Sequence, residues 1–194
     1  MAQAERAPYL PPVEKPRGLP TRLVYAFSKW LFGKVTTGNK VFSARMPFAF
    51  TMYISKMYRL DKKLTLPPIL AALIREQVAS VNGCTFCMDA TRYFTTKQSA
   101  GSAERFDALP EYRTSPLFTE VERAALDYAT ELTRDKHVDP GTFARLAGHY
   151  SEREICQIVW LVASEHLANL SNIGLNIGSD GLCELNARRA AASG

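Results

Sequence analysis

Apolar residues recur along this chain three and four positions apart, the repeat of an α-helix with one buried face, and strict alternation is rare. Pro20 suits a first helical turn; Leu23, Phe27, Trp30 and Leu31 follow at helical spacing, and Gly33 supplies the stop. A second helix is expected from near Pro47 through Phe50, Met52, Tyr53 and Met57. A third begins at Pro67-Pro68 and carries Leu70, Leu73, Ile74, Val78 and Val81. Asn82-Gly83 closes it, because glycine accepts the left-handed conformation in which helices commonly end. Another helix opens at Cys84 or just after it, and a short one is expected from Ser102 to Leu109. Two capping boxes, Thr119 with Glu122 and Ser151 with Glu154, stand before apolar runs. The first run holds Val121, Ala125, Tyr128 and Leu132; the second holds Ile155, Val159, Val162, His166 and Leu170. Between them, Asp139-Pro140 gives the cap and first turn of one more short helix. The expected class is therefore all-α, a helical bundle. One domain spans residues 20–194, its core around the paired cysteines at 67–100, and an extended arm covers residues 1–19.

Composition narrows the function classes. The 194 residues suffice for one sizeable core, and 46% hydrophobic with 22% charged residues is ordinary for a globular protein. The net charge of +5 is spread over scattered positions such as Arg22, Lys29, Lys34, Lys40, Lys56, Lys62 and Lys63, with no dense basic run. That pattern argues for a solvated mixed surface and against a nucleic-acid partner. The apolar stretch Val159–Ala163 is bounded by Glu154 and Glu165, too short for a membrane span. The first twenty residues hold five prolines and acidic side chains but no apolar signal core, so they read as an arm able to lie over a neighbouring subunit. The cytoplasm is the expected compartment, where four cysteines are not presumed to be structural disulfides. No phosphate-binding glycine motif or other cofactor signature is present in the sequence.

The candidate chemistry lies in Cys84-Thr85-Phe86-Cys87. Two cysteines at this spacing, at a helix start, bring their sulfurs within reach of each other. The helix's free N–H groups favour thiolate there. Thiolate attacks peroxides and disulfides, and the second sulfur can then resolve a sulfenic acid to a disulfide. Half a zinc site and an inert buried pair are the alternatives. Zinc needs two further close ligands, whereas Cys156 and Cys183 are single and distant, and Cys156 reads as a core residue of an apolar helix. Glu76, eight residues before Cys84 on a flank of small residues (Ala72, Ala79, Ser80), is the candidate proton acceptor; a solvated Arg75-Glu76-Gln77 patch is the plain alternative. Asp89 reads as a partner of its own helix's first amides or as an acid. His166 is the best placed of three histidines, since His137 and His149 fall at loops, and Asn169 and Asn172 need partners if buried.

The run Ile74–Asp89, with its Asn-Gly-Cys-x-x-Cys centre, resembles the core motif of the carboxymuconolactone decarboxylase and alkylhydroperoxidase D-like superfamily. Phe118–Tyr128 is similar to that family's second helical block, and Trp160–Asn172 to a third, with Asn169 at a recurrent asparagine. The resemblance covers roughly residues 40–180. It implies a helical bundle of the alkylhydroperoxidase D-like type, assembly as homo-oligomers, and peroxide reduction by Cys84 and Cys87 with an external thiol reductant. Two departures stand out. Thr91 occupies the position of the motif's usual histidine, and the family's acidic position falls near Ala72, one turn before Glu76. His166 or Glu165 is then the expected replacement base. The expected function is a thiol-dependent oxidoreductase acting on a small-molecule peroxide. The alternatives are a decarboxylase-like lyase on a small organic acid, using Glu76, His166 and Arg92, and a non-catalytic oligomeric binding protein.

Overall fold

The computed structural model describes residues 7–52, 56–96 and 102–185, and all regular structure among them is helical. In chain order the α-helices are α1 (Leu19–Phe32), α2 (Pro47–Met52), α3 (Tyr58–Asp61), α4 (Pro68–Asn82), α5 (Thr85–Thr96), α6 (Ser102–Asp107), α7 (Glu120–Asp135), α8 (Pro140–Ala147) and α9 (Glu152–Ile173). A short π-helical turn, Asn39–Ser43, follows α1, and a 3-10 turn, Leu109–Glu111, follows α6. Part of the expected second helix, residues 53–55, lies outside the described residues, as do 97–100 of the expected cysteine core.

Local signals set the helix ends. Both capping boxes form, with the Thr119 and Ser151 hydroxyls accepting from the amides of Glu122 and Glu154. Asp139 accepts from the Gly141 amide above Pro140, and Gly33 ends α1 in the left-handed region at φ 77°.

The bundle is organised around α4, which packs against α5, α7 and α9. Leu70, Leu73, Ile74 and Val78 are buried against Ala125, Leu126 and Ala129 of α7 and Ile158, Leu161 and Val162 of α9. Phe106, Leu109, Tyr112 and Phe118 close one end of this core. The inward faces of two helices differ from the expected apolar stripes. In α1 the buried side is Val24, Tyr25, Ser28 and Phe32, while Leu23 and Trp30 point outward. In α9, Val159 and Leu170 are exposed, and Gln157, Glu165 and Asn169 are buried instead. Each buried polar group there has a partner; Gln157 Oε1, for example, accepts from the backbone N–H of Thr65 at 2.9 Å.

Residues 7–14 of the arm are held by their own chain. The Tyr9 amide donates to the Leu175 carbonyl, Asn176 Nδ2 to the Ala7 carbonyl, the Val13 amide to the Lys40 carbonyl, and the Tyr25 hydroxyl to the Val13 carbonyl.

Candidate active site

Cys84 lies between α4 and α5 and is hydrogen-bonded to both. At the end of α4, Gly83 adopts φ 74° with open space where a side chain would be, so its backbone conformation is what calls for glycine. The Gly83 amide then donates to Ser80 O, and the Cys84 amide to Ala79 O at 2.8 Å, a two-bond helix cap. The Cys84 carbonyl in turn accepts from the amides of Cys87 and Met88, opening α5. This joint fixes both cysteine backbones, with Cα atoms 5.3 Å apart and the sulfurs paired as a disulfide, inside the ordinary disulfide range. Cys84 is fully buried and Cys87 is 5% exposed. Their apolar surroundings are Ala79, Phe86, Met88 and Ile173.

Two segments distant in sequence close over the pair. From the end of α9, Asn172 Nδ2 donates to Cys87 Sγ at 3.6 Å and to the Ala168 carbonyl at 2.9 Å. From the other side comes the strap between α1 and the π turn, whose Gly38 lies against Asn172 and Phe86. Asp180 pins this strap. Its carboxylate accepts from the Thr37 amide and hydroxyl at 2.7 and 2.8 Å, and pairs with Lys34 Nζ at 3.3 Å. Asp180 sits in a C-terminal stretch that is itself anchored to α5.

The anchor is Asp89. It does not serve the amides of its own helix. Instead, its carboxylate accepts from the Ser179 hydroxyl and from the backbone N–H groups of Asp180, Leu182 and Cys183. Burial pushes its acidity the other way, but these donors together hold the carboxyl below its usual pKa. Such a group contributes stability above its unfolded pKa that is lost as pH falls. Asp89→Asn is expected to cost about 2 kcal/mol, since the charge and half the acceptor capacity go. The loss would be measured as a lower melting temperature with faster amide exchange at Leu182 and Cys183; unchanged exchange there would refute the anchor. Cys183, whose thiol meets the Asp89 carbonyl at 3.4 Å, is driven up to about 12 by burial first and by Asp89 next, so it stays protonated.

Glu76 is enclosed on α4, 1% exposed. Its Oε1 accepts from Arg92 Nε at 2.7 Å, whereas Oε2 has no hydrogen-bond partner. Burial raises its pKa to about 7, with Arg92 opposing the shift only in part. Glu76 precedes Cys84 by eight residues, about two helical turns, and its carboxylate makes no hydrogen bond to either sulfur among the described residues. Arg92 is committed within the chain: Nη1 binds Asp107 at 2.8 Å and Nη2 the Phe106 carbonyl at 3.2 Å.

His166 joins a different group. Arg75 bridges Asp61 (2.6 Å) and Glu165 (3.1 Å), Glu165 accepts from Asn169 Nδ2 (2.7 Å), and Asn169 Oδ1 accepts from Asn82 Nδ2 (2.8 Å). The second Asn82 amide hydrogen points to His166 Nδ1 at 3.3 Å, which is therefore the acceptor. Burial lowers the His166 pKa, consistent with this neutral ring. The chain of side chains clamps α4 to α9 and ends two residues before Cys84. Neither Glu76 nor His166 hydrogen-bonds a sulfur among the described residues.

Cys156 is exposed, contrary to its expected place in the core, because it falls on the outer side of α9. It lines a surface cavity of about 350 Å³ with Leu60, Leu64, Trp160, Lys63 and Arg153, and neither cysteine of the dithiol borders that cavity. Among the described residues no three His, Cys, Asp or Glu side chains converge as a metal site. No helix among them is long and apolar enough to cross a membrane.

No family model matches the sequence. The chain is 29% identical over 150 residues to the uncharacterized protein YnjA of Escherichia coli (strain K12), covering 75% of this chain and 81% of that one. Its structure is similar to that of a cysteine-to-alanine form of the debrominase Bmp8 in complex with 2,3,4-tribromopyrrole. The TM-score is 0.75 at 20% identity over 92% of this chain and 95% of the other. It is similar too to the alkylhydroperoxidase AhpD core of an uncharacterized peroxidase-related protein from Ralstonia eutropha JMP134. There the TM-score is 0.71 at 20% identity, over 92% and 96% of the two chains.

Proposed function

The chain has the alkylhydroperoxidase D-like fold, and from that fold and the dithiol at its central joint we propose a thiol-dependent oxidoreductase that reduces alkyl hydroperoxides. The single observation that carries the reading is the Cys84–Cys87 pair, set at a helix start by the α4 cap with the two sulfurs close enough to form a disulfide. Cys87 keeps the little exposure the pair has, so it is the sulfur a substrate meets first.

In this scheme the Cys87 thiolate attacks the terminal peroxide oxygen. An S–O bond forms, the O–O bond breaks, and the alkoxide leaves as the alcohol after taking a proton. The Cys84 thiolate then attacks the resulting sulfenic acid; the S–S bond forms and the hydroxyl leaves as water. The dithiol has lost the two electrons the peroxide gained, and an external dithiol reductant returns them. Glu76, titrating near neutrality, is the proton reservoir, acting through a relay because it makes no hydrogen bond to either sulfur. His166, held neutral in the α4–α9 clamp, supports the geometry of the joint and is the weaker proton donor of the two. The outward Leu23, Trp30, Leu167 and Leu170 support assembly with further copies of the chain.

The test uses reduced protein and one equivalent of cumene hydroperoxide. The expected result is one equivalent of alcohol and a Cys84–Cys87 disulfide found by peptide mapping. Unconsumed peroxide with both thiols intact would overturn the reading. The fold similarity to a debrominase makes a bromopyrrole the second electrophile to assay, since replacing carbon-bound bromine by hydrogen also takes two electrons from a dithiol and releases bromide.

A further inference from the structure

Around the disulfide, Ala79, Phe86, Met88 and Ile173 form an apolar cluster with the two buried cysteines. A thiolate formed there loses hydration, because both cysteines are buried. The helix start supplies part of the stabilisation. Among the described residues, the side chain that donates to either sulfur is Asn172.

Its orientation is determined. The Ala168 carbonyl, one turn back on α9, can only accept, so the atom facing it at 2.9 Å is Nδ2. One Nδ2 hydrogen is used there, and the other points at Cys87 Sγ, 3.6 Å away. Oδ1 is thereby turned toward Gly38. A methyl group added at Gly38 would stand 3.3 Å from that oxygen and 3.9 Å from the Phe86 ring. Gly38 has φ −56°, which any residue adopts, so the space beside Asn172 is what favours glycine. The strap itself is fixed by Asp180 through Thr37 and Lys34. The amide is thus held by the Ala168 carbonyl, with Gly38 leaving room beside its oxygen and a single hydrogen left for sulfur.

We propose that Asn172 is the positioning residue of the dithiol, its amide, oriented by the Ala168 carbonyl, donating to Cys87 Sγ so that this sulfur is held ready to act as the nucleophile, an inference that rests on the thiol chemistry proposed above. A hydrogen bond to an ionised acceptor is stronger than one to a neutral acceptor, so the contact strengthens as the thiol ionises.

The experiment measures alkylation of each cysteine of the reduced full chain against pH with iodoacetamide, resolved by tandem mass spectrometry. Asn172→Leu is expected to raise the Cys87 pKa by about one unit and slow its alkylation at pH 7 about tenfold, with a smaller change at Cys84. Asn172→Asp, which places a carboxylate where the donor stood, is expected to shift it at least as far. Gly38→Ala leaves Asn172 in place and crowds it, so a smaller shift in the same direction is expected; it also carries the test if Asn172→Leu fails to fold. Superimposable Cys87 profiles in wild type, Asn172→Asp and Gly38→Ala would overturn the inference. A shifted Cys87 profile in a protein that consumes no peroxide would overturn the proposed activity alone. Normal turnover with unshifted profiles would overturn Asn172 alone.

Discussion

Serine in place of Cys87 is expected to lower hydroperoxide turnover by a factor on the order of a thousand or more, because a hydroxyl is not ionised at neutral pH and cannot replace the thiolate. Serine in place of Cys84 has a different signature. The first step survives, so one equivalent of peroxide is consumed and a sulfenic acid accumulates on Cys87, trappable by dimedone. Steady turnover then stops, since no second sulfur forms the disulfide. The asymmetry follows from exposure, with Cys84 sealed under the α4–α5 joint and Cys87 retaining 5% of its surface. A dimedone adduct on Cys84 in the Cys87→Ser protein would reverse the assigned order. Steady turnover in either variant would remove the dithiol from the reaction altogether.

The second large effect is thermodynamic and belongs to Glu76. Its folded pKa of about 7 lies above the 4.5 of an ordinary glutamate, because burial costs the charged form more than Arg92 returns. Between these values the folded chain holds a proton that the unfolded chain has released. This group's effect on stability is therefore most favourable below about pH 4.5, becomes less so as pH rises toward 7, and levels off beyond. The shift corresponds to about 3 kcal/mol across that window. Glu76→Gln cannot titrate. The difference in unfolding free energy, variant minus wild type, should climb by that amount between pH 4.5 and pH 8 and stay flat above it. Chemical denaturation at four pH values measures this directly, and parallel curves would show that Glu76 does not titrate in this window. The same variant should lose a titration near pH 7 from the turnover profile.

What was legible in the sequence was whatever is decided within a few residues. The capping boxes at Thr119 and Ser151, the left-handed Gly83 and the placement of Cys84 and Cys87 at a helix start all depend on neighbours three or four positions away, and all formed as expected. Which side of a helix faces inward was less readable. Helix α9 is apolar on more than one side, so spacing alone did not select the buried stripe. Buried Glu165 and Asn169 are satisfied by Arg75 and Asn82, about ninety residues earlier. The same ambiguity explains why Cys156, expected in the core, is exposed. The surroundings of the dithiol were hidden for a related reason, since Gly38, Asn172 and Asp180 meet only through tertiary packing. Asn172 was visible as a polar residue in need of partners, but no spacing rule connects it with Cys87. Asp89 reads in the sequence as a local cap, and only the fold reveals that it serves a segment ninety residues downstream.

Asp180 has one more consequence, which concerns the order in which the chain is made. The strap that carries Gly38 is synthesised early, and the dithiol follows about fifty residues later, yet the carboxylate that pins the strap comes close to two hundred residues from the start. A chain emerging from the ribosome N-terminus first therefore completes α4 and the start of α5 with the sulfurs uncovered. They close over only when residues 179–183 arrive and dock on Asp89. During synthesis both cysteines are thus open to oxidants and reductants alike, whereas in the finished protein such access narrows to Cys87.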